Sequence, residues 1–176
     1  MTKKKTLNPP KNFVLDLDGV FTDGKFYYTN KGKYMKVFGA DDHDCLLALS
    51  PLLNIHVVTA DSRGFEISKK RIEQDMGLQI DLVSALERPS WISNKYNLNE
   101  TIYMGDGIFD HLVFSKVFYS IAPANALDFT KREANFVTQN SGGDRAVAEA
   151  CLHVLSKFFN KSDLLIPETP KGKINK

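Results

Sequence analysis

Phe13-Val14-Leu15-Asp16-Leu17-Asp18-Gly19-Val20-Phe21-Thr22-Asp23-Gly24 passes from an apolar run into a string of acids and glycines. Phe13-Val14-Leu15 reads as a buried strand, bounded by Pro10 before it and Gly19 after it. Asp16 and Asp18 lie two apart, so they point the same way while the chain is still extended. Two carboxylates forced together behind a buried strand repel each other, and a divalent cation relieves that repulsion. Gly19 and Gly24 permit tight turns, whose free N–H groups can cradle an anion. A bare Asp-x-Asp is more often a polar turn with capping aspartates. The preceding strand and the full Asp-x-Asp-Gly-Val-x-Thr-Asp-Gly string tell against that reading here.

Working outward, the same rhythm of short apolar runs and longer periodic ones continues. Ile55 to Thr59, Thr101 to Met104, Val117 to Ile121 and Asn135 to Thr138 read as further strands, with helical segments between them. The clearest helix is Asp144 to Phe158, which sets Val147, Cys151, Val154, Leu155 and Phe158 on one face. Strands alternating with helices predict an α/β fold, a parallel sheet covered on both faces. One segment departs from this. Phe26 to Thr29, then Asn30-Lys31-Gly32, then Tyr34 to Phe38 reads as a β-hairpin, unusually aromatic for an exposed ribbon.

Ligands of open parallel sheets bind beyond the carboxyl ends of the strands. The second strand ends at Thr59, followed by Ala60-Asp61-Ser62-Arg63-Gly64. Its hydroxyl suits a phosphate donor, and it equally suits a helix N-cap. The third ends in Gly105-Asp106-Gly107-Ile108-Phe109-Asp110, again an acid after a buried run. Asp16, Asp18 and Asp106 together form a carboxylate group able to bind Mg²⁺, which takes oxygen ligands and substrate phosphate. Asp41-Asp42-His43-Asp44 opens the helix after the hairpin. It could be a second metal site, although acids at a helix N-terminus are the commoner explanation. His56, His111 and His153 read as packing or surface residues, and Trp91 as a helix-face anchor.

Composition narrows the class. The chain of 176 residues is 43% hydrophobic and 25% charged, too apolar for intrinsic disorder and sized for one domain. The formal net charge of +2 gives no basic field for nucleic acid. No run reaches the roughly 18 apolar residues of a membrane span. Met1 to Pro10 is basic without an apolar stretch behind it, so a secretory signal is not expected. Cys45 and Cys151 are read as reduced thiols of a cytoplasmic protein. Residues 1–11 and 161–176 are expected to be flexible tails around a single domain at 12–160.

The three acid-bearing segments, in this order, resemble the motifs of the haloacid dehalogenase-like phosphatases. The long first motif, the hairpin and the closing Val137 to Val147 segment are similar to a small branch of them. That branch acts on 3-deoxy-D-manno-octulosonate 8-phosphate and on nonulosonate 9-phosphates, in surface-polysaccharide precursor synthesis. The resemblance covers about residues 12 to 158. It implies a three-layer Rossmann-like sheet with a β-hairpin flap and no cap domain. It also implies Asp16 as nucleophile and Asp18 as general acid and base. Mg²⁺ would be held by Asp16, the Asp18 backbone carbonyl and Asp106, with Asp110 in support. Thr59 would bind the phosphoryl group, and the branch forms tetramers.

Two departures stand out. The second motif reads Thr59-Ala60-Asp61, with an acid where a cation is common. The third motif's usual lysine is matched best by Arg88, and less well by Lys95. An alternative reading is therefore a phosphate-binding or assembly module of the same fold with little turnover. The stretches from Gly24 to Thr59 and from Thr59 to Arg88 are each shorter than the roughly 50 residues at which domains start. With no room for a cap, a homo-oligomer is expected, in which hairpins pack together and help cover a neighbour's site.

Overall fold

The computed structural model describes residues 9 to 161. The expected tails therefore lie almost wholly outside the described residues. The chain is already held at Lys11, whose N–H donates to the Glu100 carbonyl and whose carbonyl accepts from Asn54.

The central sheet is built from β1 (Asn12–Asp16), β4 (Asn54–Thr59), β5 (Gln79–Leu82), β6 (Thr101–Met104), β7 (Tyr119–Ala122) and β8 (Phe136–Val137). All neighbours are parallel, in the order β5-β4-β1-β6-β7-β8. β1 is central and buried along its whole length, which is why it carries apolar residues on both faces. Phe13 and Leu15 face one core, with Leu46, Ile72, Val154 and Leu155. Val14 faces the other, with Val58, Ile92, Tyr103 and Phe114. Each such side chain contributes about 1.5–3 kcal/mol when fully buried.

The helices are α1 (Asp41–Leu49), α2 (Phe65–Lys69), α3 (Arg88–Lys95), α4 (His111–Phe114), α5 (Asp128–Glu133) and α6 (Ala146–Phe159). α2 widens into a π-helical turn over Lys70–Asp75, which no periodicity signals. The acids opening α1 act as ties. Asp42 Oδ1 accepts the Ala148 N–H at 2.9 Å and Asp41 pairs with Arg145, joining the N-termini of α1 and α6.

β2 (Tyr27–Thr29) and β3 (Gly32–Met35) form the expected hairpin as a separate antiparallel pair. A bridge between Thr22 and Phe38 closes its base. The sheet order reverses between β1 and β6, so the loops after these two strands part and leave a crevice. Asp16 ends β1 and Asp106 follows β6 at that crevice. No helix among the described residues is long and apolar enough to cross a membrane.

Candidate active site

The loop after β1 is wound tightly. Val20, Phe21 and Thr22 all direct their N–H groups at the Leu17 carbonyl. The Thr22 hydroxyl accepts from Gly19 and Gly24, both at 3.2 Å. Gly19 has φ +87°, and a side chain there would run into the Asp106 carboxylate. Only glycine allows both the left-handed backbone and that approach. A second loop braces the first. Asn125 donates to the Gly19 carbonyl at 2.9 Å and accepts from Gly142, while Gly143 donates to Val20.

Asp16, Asp106 and Asp110 each bring one carboxylate oxygen to a common place, all within 4.8 Å of one another. Asp16 Oδ1 accepts the Leu17 N–H at 2.8 Å, leaving Oδ2 to face Arg88 at 3.0 Å. Asp110 accepts from Tyr103 at 2.6 Å, from Arg88 at 3.0 Å and from Gly107 at 2.8 Å. Burial, joined by the repulsion of Asp110, pushes the Asp16 pKa up to about 7 against the pull of Arg88. Burial together with Asp16 and Asp110 pushes Asp106 up to about 8. Arg88 pairs with Asp16 and Asp110 only, so the third converging carboxylate, Asp106, has no cation of its own among the described residues. A hard divalent ion with oxygen ligands is what such a donor set fits.

Arg88, at the start of α3, is buried. Burial works against its charge, but the facing Tyr103, Asp16 and Asp110 outweigh it and push its pKa up. Its Nε is also buried and has no hydrogen-bond partner among the described residues. Lys95 lies elsewhere, against Asp81 at 3.1 Å and over the Trp91 ring. Thr59 is fully buried and donates to Asp18 Oδ2 at 3.1 Å, while accepting the Asp61 N–H. The structure thus brings together Asp16, Asp18, Thr59, Arg88, Asp106 and Asp110. The Asp18 carboxylate stands outside the acidic cluster, turned toward Thr59 and Lys36. A cavity of about 310 Å³ opens over the group, and Asp16, Asp18, Phe26, Asp61, Arg88 and Asp110 are among the residues that line it.

Sequence reasoning missed Lys33 and Lys36. Both come from the hairpin and both are buried, pairing with Asp61. The acid in the second motif was the available signal, since a buried acid needs a cation. The remaining candidates are structural. His56 bonds Asp81 and Tyr96, His111 bonds the Ile108 carbonyl, and His153 stacks on Phe136. Trp91 packs edge-on against His56 and Tyr96.

The six-stranded parallel sheet flanked by helices, with acids at its switch point, matches the haloacid dehalogenase-like fold. No family model matches the chain. It is 29% identical over 164 residues to the 3-deoxy-D-manno-octulosonate 8-phosphate phosphatase KdsC of Salmonella typhi, covering 86% of this chain and 80% of that one. To the enzyme of the same name from Escherichia coli K12 it is 28% identical over 145 residues, covering 78% and 75%. Among solved structures, the cobalt-bound deoxy-D-mannose-octulosonate 8-phosphate phosphatase of Haemophilus influenzae superposes with a TM-score of 0.79 at 25% identity, covering 93% of this chain and 96% of that one. A Moraxella catarrhalis 3-deoxy-D-manno-octulosonate 8-phosphate phosphatase, solved with magnesium, phosphate and KDO, gives 0.76 at 22% identity over 89% and 91%, a likeness of fold alone. The fold is haloacid dehalogenase-like and the chain is a phosphatase, similar to the 3-deoxy-D-manno-octulosonate 8-phosphate phosphatases.

Proposed function

We propose that this chain is a Mg²⁺-dependent phosphomonoesterase working through an aspartyl phosphate on Asp16. Its substrate would be a phosphorylated sugar acid, 3-deoxy-D-manno-octulosonate 8-phosphate or a related nonulosonate 9-phosphate. The observation that carries this reading is the buried Asp16 carboxylate, with Arg88 at 3.0 Å and Asp106 and Asp110 beside it. The names of the relatives support the sugar acid.

Asp16 and Asp106, with the Asp18 backbone carbonyl, would hold Mg²⁺, and Asp110 would support that shell from its bonds to Tyr103 and Gly107. When bound, the ion cancels the repulsion that keeps one anion from attacking another. Asp16 Oδ2 attacks phosphorus, the bond from phosphorus to the sugar oxygen breaks, and Asp18 gives that oxygen its proton. Asp18 then takes a proton from the water that hydrolyses the aspartyl phosphate, so one group serves both halves. Arg88, through its unpartnered Nε, binds a phosphoryl oxygen, and Thr59 joins it when its hydroxyl turns from Asp18 to the bound phosphate. The free thiols of Cys45 and Cys151 suit the reducing cytoplasm.

Release of phosphate from a panel of phosphorylated sugars, with and without Mg²⁺, tests the reading. Turnover of the eight- or nine-carbon acids that needs Mg²⁺ is expected. Absence of turnover on every substrate would sink it. Asp106→Asn is expected to raise the Mg²⁺ concentration needed for half-maximal rate at least about tenfold, since a charged ligand becomes neutral. An unchanged Mg²⁺ dependence would remove Asp106 from the ligand set.

The hairpin turns Phe26 and the two lysines toward its own subunit's site, yet its outer face stays bare, with Tyr28 57% and Tyr34 72% exposed. Such a ribbon holds more apolar surface than it can hide alone. We propose a homo-oligomer, a tetramer in the first instance, in which hairpins pack together and help roof neighbouring sites. Tyr28→Glu with Tyr34→Glu should dissociate it and lower activity together, as read by light scattering and assay. A fully active 19.8 kDa monomer would end this proposal.

A further inference from the structure

Lys36 follows β3, on the segment by which the hairpin returns to the domain, and its side chain is 0% exposed. A buried ammonium is costly unless each of its three donors is used. Here two are used, toward Asp18 Oδ2 and Ser68 Oγ, and the carboxylates of Asp18 and Asp61 lie within ion-pair distance to compensate the charge. Nζ lies 2.7 Å from Asp18 Oδ1 and 3.1 Å from Oδ2, 2.9 Å from Asp61 Oδ2 and 2.8 Å from Ser68 Oγ. These partners come from three different segments: the loop after β1, the loop after β4, and α2. Ser68 passes the network on to the Gly64 carbonyl. Lys33 pairs with the same Asp61 oxygen, its ammonium 3.4 Å from the centre of the Phe26 ring.

Gly64 is a second, independent sign that this junction is built. A side chain there would strike the Asp61 carboxylate and the stems of both lysines. The unusual acid at Asp61 is thereby accounted for. It anchors the cations that the hairpin brings in.

We propose that Lys36 is the positioning residue of Asp18, with Asp61 as its anchor, so that seating the hairpin and placing the acid/base group are one event. This rests on the phosphatase reading above. Two donors, Lys36 Nζ and Thr59 Oγ1, fix the Asp18 carboxylate, and among the described residues only Lys36 ties it to the hairpin. Without Lys36 the carboxylate swings free of one of its two holders while Asp16, Arg88 and Asp106 stay in place.

The test uses leaving groups of different need. An alkyl phosphate leaves as an alkoxide and needs its proton from Asp18. p-Nitrophenyl phosphate leaves as a stable phenolate and does not. kcat/KM reports the step in which that group departs. Lys36→Met, which keeps the stem, is expected to lower kcat/KM for a sugar phosphate by about 10²-fold, at the low end of what general acid catalysis contributes. The fall for p-nitrophenyl phosphate should be less than about tenfold on the same basis. Asp61→Asn, which keeps the shape and removes the anchor's charge, should show the same selectivity in weaker form and stands in if Lys36→Met fails to fold. Equal losses on both substrates in a folded variant, or no loss on either, overturn the proposal. Wild-type protein without turnover on either substrate would instead overturn the phosphatase reading itself.

Discussion

Asp16→Asn is expected to abolish turnover while leaving the protein folded. The amide fills the same space, but its oxygen carries no charge and its nitrogen no available lone pair, so phosphorus is not attacked. Stability argues in the same direction. Burial holds the Asp16 pKa up to about 7, well above its value in the unfolded chain. A carboxyl with a raised folded-state pKa favours its neutral form, so above that pKa the charge works against folding. Asparagine resembles the neutral carboxyl. In metal-free buffer at pH 8 the variant should therefore melt no lower than wild type, while Mg²⁺ should raise the melting temperature of wild type more. Phosphate release and thermal melting on the same preparation check both halves. A well-folded variant that keeps a tenth of wild-type activity would remove Asp16 as nucleophile.

The parts of this site most directly legible in the sequence, Asp16 and Asp106, share one property: each is an acid behind a buried apolar run. Asp16 and Asp106 announce themselves because a core has no use for a carboxylate at a strand end. Arg88 was legible only by its place in a motif order, since nothing local marks an arginine before Pro89 as buried. Tyr103 looked like one more apolar strand residue, although its hydroxyl holds Asp110. Lys33 and Lys36 were hidden for a different reason. Charged side chains in a two-stranded ribbon normally face water, and only the folding of that ribbon onto the loop after β4 puts them inside. Asn125, Gly142 and Gly143 brace the nucleophile loop from more than a hundred positions away. No pattern in a single chain carries pairings of that range. The fold was easier, because the alternation of strand and helix is a local signal. The π-helical end of α2 was not, because it costs no change in the apolar pattern.

Arg88→Ala should produce the second large loss, on the order of 10²–10³-fold in kcat/KM, the usual effect of removing one fixed donor from a developing charge. Its guanidinium faces Asp16 Oδ2 and Asp110 Oδ1 with one nitrogen, Nη1, and keeps Nε free of partners among the described residues. That division lets one side chain orient the nucleophile and still bind a phosphoryl oxygen. Removing it also leaves two buried carboxylates unpaired, and breaking a buried pair in this way destabilises by about 3–5 kcal/mol. Loss of activity must therefore be separated from loss of fold. Arg88→Lys does this, because it restores charge near Asp16 without the planar fork, and it should recover part of the rate. Lys95→Ala supplies the opposite control. Lys95 sits beside Asp81 of β5, the edge strand of the sheet, and pairs with nothing in the acidic cluster. Its removal should leave kcat/KM within about twofold of wild type, as for surface pairs of small net worth. If Lys95→Ala is instead crippled and Arg88→Ala turns over normally, the phosphate-neutralising cation is Lys95, and the placement of Arg88 against the nucleophile has no part in catalysis.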